Sequence, residues 1–156
     1  MDNRTKLHYQ DQMRKLVINQ GADYFVTAAF NRNTSIQNAR KYLKYWHGNI
    51  DKKLLGRKGF MNSTMELRTH FFAFCEHPHS NIHWHMMLKL ADKKYASCFE
   101  ENADQIWQKL VPSGDLDVKK ITVQEDLIRT ANYCTKDLWQ SLAISNWLTS
   151  AEFIAA

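Results

Sequence analysis

The stretch Ile82-His83-Trp84-His85-Met86-Met87-Leu88-Lys89-Leu90 has the alternation of a strand with two unlike faces. Successive side chains of a strand point to opposite sides. Ile82, Trp84, Met86, Leu88 and Leu90 therefore share one side, and all are apolar. His83, His85, Met87 and Lys89 share the other, which is expected to be polar and open. Thr69 to Glu76 forms a second run of strand character, joined to the first through His77-Pro78-His79-Ser80-Asn81. So short a connection makes the two an antiparallel hairpin.

Working outward, residues 3–19 carry Leu7, Met13, Leu16 and Val17 among polar residues, an amphipathic first helix stopped by Gly21-Ala22-Asp23. Tyr24 to Phe30 is rich in strand formers. Asn33-Thr34-Ser35 supplies an N-cap for a helix with Ile36, Ala39, Leu43, Trp46 and Ile50 at helical spacing, expected to end near Gly48 or Gly56. Beyond the hairpin, Phe99, Ala103, Ile106 and Leu110 mark a helix ended before Pro112. Leu116 to Val123 reads as a strand, and Glu125 to about Leu138 as a helix with Leu127, Ala131, Cys134 and Leu138 on one stripe. From Ser141 a weakly specified helical tail is expected. The order from Tyr24 is βαββαβ, which predicts an α+β fold of the ferredoxin-like or RRM-like kind. Its antiparallel sheet would carry helices on one face, with an additional tyrosine-bearing helix behind. Residues 1–156 form a single domain in this reading, with 1–20 an N-terminal helix and 139–156 a C-terminal tail.

At 156 residues, 44% hydrophobic and 24% charged, the chain has the make-up of a globular domain. Its apolar runs fall well short of the roughly 20 residues that span a bilayer, so no membrane partner is expected. No apolar segment follows the N-terminal charges, so no signal peptide is expected. Three cysteines, Cys75, Cys98 and Cys134, are too few and too scattered for a disulfide frame and read as reduced thiols. A net charge of +5 favours a polyanionic partner. No GxxxxGK[ST] loop is present, which excludes an ATP-driven motor of the P-loop type.

Chemistry concentrates at two places. His83 and His85 point the same way from one strand, and Glu76 ends its hairpin partner, so folding brings a carboxylate beside two imidazoles. Two neutral imidazoles and a carboxylate suit a divalent cation such as Mg²⁺ or Mn²⁺. His77 and His79 are rival ligands, and a four-histidine cluster would be a structural metal site. Alternation puts Phe72 and Phe74 on the side of Glu76, where they either line a groove that stacks bases or mark a bulge that shifts the register. The second place is the helix from Glu125. There Arg129, Tyr133 and Lys136 lie within about 60° of one another, off the buried stripe. A free phenol, with pKa about 10, is a poor nucleophile unless positive charge or a metal favours its phenolate.

The sequence His83-Trp84-His85 followed by Tyr133-Cys134-Thr135-Lys136-Asp137 resembles the metal and YxxK motifs of the HUH endonucleases. It looks most like the single-tyrosine rolling-circle replication initiators (Rep proteins) of small DNA viruses and plasmids. Phe25 to Arg32 is similar to the first motif of that family, and the likeness covers about residues 24–138. The resemblance implies a ferredoxin-like fold and a metal-dependent endonuclease. Tyr133 would be the nucleophile, Lys136 would steer the phosphate, and Glu76, His83 and His85 would hold Mg²⁺ or Mn²⁺. Tyr133 would attack single-stranded DNA, or an origin hairpin, to leave a 5′-phosphotyrosine and a free 3′-OH, a step that a later 3′-OH can reverse. Asn31, Arg32, Lys89 and Arg129 would contact the DNA, and the scheme leaves room for an oligomer. It also implies a cytoplasmic protein if the source is bacterial or plasmid-borne, and the host nucleus if it is a eukaryotic virus. Two rivals are a single-tyrosine HUH transposase, which usually has a glutamine ligand after the tyrosine (here Gln140 is the nearest), and a non-catalytic module that binds single-stranded nucleic acid.

Overall fold

The computed structural model describes residues 2–77, 80–136, 138 and 146–154. Its centre is a five-stranded antiparallel sheet in the order β4-β1-β3-β2-β5. The strands are β1 (Tyr24–Ala29), β2 (His70–Glu76), β3 (His83–Lys89), β4 (Asp115–Lys120) and β5 (Trp147–Thr149). The helices are α1 (Asn3–Gln20), α2 (Ile36–Met61), α3 (Ala96–Leu110), α4 (Gln124–Thr135) and the single turn α5 (Ala151–Ile154). From β1 to β4 the elements follow the expected strand–helix–strand–strand–helix–strand order. Where the tail was expected to be helical, Trp147–Thr149 instead pairs with Phe72 to Phe74 as an edge strand. Residues 139–145 of that tail lie outside the described residues.

Local chemistry sets the element ends. Asp2 caps α1 by accepting from the Thr5 amide, and Ser35 caps α2 by accepting from Asn38. Gly21, with φ 77°, stops α1 in a conformation other residues rarely adopt. α2 runs through Gly48 unbroken, is interrupted at Gly56 (φ 74°) and resumes to Met61. Gly114 is required for a different reason. A Cβ there would sit 2.4 Å from the Ala29 carbonyl oxygen and 2.8 Å from Trp107 Nε1, two atoms already hydrogen-bonded at 3.0 Å.

One sheet face carries the main core, as the alternation of Ile82 to Leu90 predicts. Val26, Ala28, Phe71, Ala73, Trp84, Met86 and Leu88 pack beneath Leu43, Trp46 and Ile50 of α2 and Phe99, Ala103 and Trp107 of α3. Full burial of each large apolar side chain contributes about 1.5–3 kcal/mol. The three buried indoles also need an acceptor, and each finds a main-chain carbonyl: Trp46 at Ala103, Trp84 at Ala39 and Trp107 at Ala29, all within 3.0–3.1 Å.

The other face is not open, and the expectation of helices on one face only is corrected here. α1 and α4 lie across it, and Met13, Val17, Leu127, Ala131 and Cys134 close over Phe74 and Met87, with Phe25, Phe72 and Trp147 alongside. Phe72 and Phe74 therefore belong to a second, smaller core, and the register runs without a bulge through Phe72↔Met87, Phe74↔His85 and Glu76↔His83. The choice between a base-stacking groove and a shifted register is settled as neither. Of the stripe expected on α1, Met13 and Val17 are buried, whereas Leu7 and Leu16 are exposed.

Candidate active site

The second face changes character along its length. Beneath α1 and α4 it is apolar, and toward the ends of β2 and β3 it becomes a corner of titratable side chains. Antiparallel pairing sets this corner row by row. Glu76, His83 and Ala29 are mutually opposite in one row, and Phe74, His85, Thr27 and Asp117 in the next.

His85 is the hub. Its Nε2 meets the Glu76 carboxylate in a short contact. A carboxylate at that nitrogen keeps the proton on Nε2, so Nδ1 accepts from the Thr27 hydroxyl at 3.2 Å. Phe25 stacks on the ring at 5.5 Å between centroids, and Tyr133 meets it edge-on at 5.4 Å. Burial is the largest influence on the His85 imidazole and pushes its pKa below the ordinary histidine value, aided by the charges of His83 and Lys136. Glu76 opposes that shift without reversing it, so the ring is neutral near pH 7. For Glu76 burial pulls upward, but the hydrogen bond and charge of His85, with His77 and Lys136, hold the carboxyl below its usual range. A neutral ring beside an ionised carboxylate is the state that agrees with both shifts.

His83 stacks near His85 with centroids 6.4 Å apart, and its Nδ1 is buried with no hydrogen-bond partner. His77 approaches from the turn, 3.8 Å from the other Glu76 oxygen, with a positive φ of 55°. His79 lies outside the described residues. A buried ring nitrogen without a partner, a second imidazole and a carboxylate are donors of the right class for a divalent cation. As placed, however, no three His, Cys, Asp or Glu side chains among the described residues are gathered closely enough to hold one ion. The residues thus fit a cation in type but are not gathered around one, and Glu76 and His85 satisfy each other directly.

α4 presents Tyr133 to this corner. Leu127, Ala131 and Cys134 face down into the small core, which turns Tyr133 outward and leaves it 42% exposed beside His85. Lys136, the residue that ends α4, lays its ammonium over the Tyr133 ring 3.9 Å from the centroid. The end of α4 is pinned by α1, whose Gln10 amide donates to the Thr135 carbonyl at 3.1 Å. Cys134 and Cys75 are raised to about 12 and 11, burial being the largest cause in each, so neither is a thiolate at neutral pH. All three cysteines are free, as expected.

The remaining candidates are scattered. Asn31 follows β1 at the corner end of the sheet, takes a positive φ of 53° and donates to Asp115 at 2.8 Å. Arg32 lies over the Tyr42 ring. Arg129 is on α4 but pairs with Asp126, and Lys89 is at the opposite end of β3, donating to the Gln20 carbonyl at 3.2 Å. Thr27 and Phe25, which fix the His85 ring, escaped the sequence reading. Their alternation on β1 held the signal, since both fall opposite the buried Val26 and Ala28. Asp137 and Gln140 lie outside the described residues. Comparisons with protein-family models, curated proteins and solved structures find no match.

Proposed function

We propose that the chain is a single-tyrosine endonuclease of the HUH type that nicks and rejoins single-stranded DNA, as in initiation of rolling-circle replication. The observation that carries the reading is the meeting of Tyr133, from α4, with His85, from β3, at 5.4 Å beside Glu76, His83 and Lys136. Residues 48 positions apart in the sequence, singled out there for different reasons, share one partly exposed corner. The sub-order β4-β1-β3-β2, with α2 and α3 on one face, is read as the ferredoxin-like core of such an enzyme.

The phenolic oxygen of Tyr133 would attack the scissile phosphorus, its proton passing to solvent. The phosphorus–O3′ bond breaks, the 3′ oxygen leaves as a hydroxyl after taking up a proton, and the strand's 5′ phosphate stays on the tyrosine. Lys136, whose ammonium already lies over the Tyr133 ring, would neutralise the phosphate as it arrives. Glu76, His83 and His85 would hold Mg²⁺ or Mn²⁺, which when bound supplies charge neutralisation at the phosphate oxygens. Thr27 and Phe25 fix the plane of the His85 ring. A base-stacking module without chemistry is less well supported, because Phe72 and Phe74 are taken up by the small core.

The test is a denaturing gel of the protein incubated with 3′-labelled single-stranded DNA and Mn²⁺. The expected result is a labelled protein adduct that is absent for Tyr133→Phe, which keeps the ring and removes the attacking oxygen. An adduct that persists in Tyr133→Phe makes another residue the nucleophile, and no adduct on any hairpin-bearing strand favours a binding module.

A further inference from the structure

The positive charge of this protein is concentrated on one helix, across the sheet from the candidate active site. α2 carries seven Lys and Arg against the single Asp51, a net +6, whereas the whole chain nets +5, so everything outside α2 nets −1. Asp51 is buried and spends its charge on Arg68 and His47, so it does not offset the surface cations. Arg40 is tied to Glu152. Lys41, Lys44, Lys52 and Lys53, with Lys109 at the end of α3, are exposed and have no carboxylate partner among the described residues.

Lys41, Lys44 and Lys52 form a row, while Lys53 lies further round the helix, in a cleft with Lys109. At 100° per residue the three fall within about 80° of one another, and Lys41 to Lys52 spans about 16 Å of helix. Two adjoining clefts, sharing Asn49 and Lys52, lie along it. One is flanked by Lys44 and Arg68, the other by Lys53 and Lys109. The first is also lined by His47, which is fully buried and whose Nδ1 has no partner. Gly48 lies on the same stripe, in mid-helix, where glycine costs about 1 kcal/mol relative to alanine. Nothing stands within 4 Å of where its Cβ would be, so packing does not require glycine there. A flat spot in a row of lysines lets an extended polyanion approach the helix backbone.

We infer that the α2 face is a second nucleic-acid surface, which grips the phosphate backbone of a duplex. A rigid line of cations suits regularly spaced phosphates. Among the described residues Tyr45 offers the face one exposed ring, and Lys41 already lies over it, so they supply no stacking platform of the kind a single strand needs. With the tyrosine corner across the sheet, the protein could hold a paired flank on α2 while an unpaired strand occupies the corner. Binding at α2 needs no chemistry from Tyr133, so it goes beyond the nuclease reading and fails or survives separately from it.

The test is fluorescence anisotropy with a fully paired DNA of about 20 base pairs and arbitrary sequence, titrated over a range of salt. Replacing Lys44, Lys52, Lys53 and Lys109 together by Gln is expected to weaken binding at least tenfold near 0.15 M salt. The slope of log K against log salt should shrink by about 3 to 4, at roughly 0.9 per phosphate contact. A charge-matched control, Lys6, Lys15, Lys93 and Lys94 to Gln, should lose much less. Gly48→Gln, which leaves charge unchanged, should weaken binding several-fold while raising the melting temperature. Tyr133→Phe should bind the duplex like the parent. Equal losses in the two lysine sets, or an unaltered protein that ignores duplex DNA and binds polyglutamate instead, would overturn the assignment.

Discussion

On the α2 side of the sheet, His47 and Asp51 meet with 0% and 1% of their surface exposed, whereas on the α4 side His85 and Glu76 meet at a corner open to solvent. Both are histidine–carboxylate pairs, and their surroundings make them different objects. Asp51 is saturated: its second oxygen accepts from the Thr69 amide at 2.9 Å, Arg68 pairs with the first, and His47 donates to the Thr69 carbonyl at 2.7 Å. These partners come from main chain and a guanidinium that cannot leave without unfolding the segment before β2. Around Glu76 and His85 the neighbours are side chains: a threonine hydroxyl, two aromatic rings, a second histidine and a lysine. A sealed pair anchors a helix to a strand. A pair with side-chain neighbours and an exposed edge can exchange partners, which is what binding and catalysis require.

That contrast can be broken by mutation, and the largest effect is expected on strand β3 itself. Trp84→Ala removes a fully buried indole and its bond to the Ala39 carbonyl. It should cost about 3–5 kcal/mol in urea unfolding. His83→Ala, one residue away on the other face, should stay within about 1 kcal/mol and abolish metal-stimulated cleavage. Equal unfolding by both would mean that the corner belongs to the core. Next in size, Asp51→Ala should cost about 3 kcal/mol or more, because it strands Arg68 and His47 without their partner. Glu76→Ala, at a partly exposed site, should cost about 1 kcal/mol or less. A loss there as large as that from Asp51→Ala would erase the distinction drawn between the pairs.

Proton linkage sharpens the comparison further. Burial, the largest influence, holds the His47 pKa below the ordinary histidine value, against the charge of Asp51 and the bond to Thr69. The unfolded chain then binds a proton at His47 before the folded one does. Stability is intact above about pH 6.5 and is lost as pH falls from there toward the folded value. The loss from one such group is at most about 1.4 kcal/mol for each pH unit crossed. Melting temperatures between pH 7.5 and 5 should show the decline, and His47→Gln should flatten it. A level profile in the parent protein would mean that His47 titrates in the folded state as it does in the unfolded chain. On the α1 side, Gln10→Ala should cost about 1 kcal/mol by freeing the Thr135 carbonyl. It should also slow adduct formation by loosening Tyr133, and an unchanged rate would show that α1 is not needed to position it.

The hairpin, the first three helices and the apolar face of β3 were legible because period-2 and period-3.6 patterns are local and strong there. The corner of Glu76, His83 and His85 was legible too, since alternation and a short turn place those side chains together. What α1 covers was not. Its buried side is only Met13 and Val17, too narrow a stripe to point at a target, and Leu7 and Leu16 gave a false one. The clue was on the sheet, where Phe25, Phe72, Phe74 and Met87 make half of the second face apolar and so require a cover. β5 has three residues, below the length at which alternation means anything. The sealed pair left a signal that went unused. His47 and Asp51 stand beside Trp46 and Ile50 on the apolar side of α2, and polar residues four apart on a buried stripe need each other.

The bond from Gln10 to Thr135 joins residues 125 apart, and that from Trp147 to Tyr9 joins residues 138 apart. α1 is made before the sheet, and these partners are made after it. During synthesis the β1–β4 sheet and the α2–α3 layer have their strands and most core residues in hand while α1 still lacks α4 beside it. Such distant contacts form late, because the loop they close must be ordered before they repay it. Folding of the α1–α4 layer, and with it the setting of Tyr133 against His85, is therefore a finishing step. A chain stalled before residue 124 could hold its main core and present the corner histidines, yet lack the helix that brings the tyrosine to them.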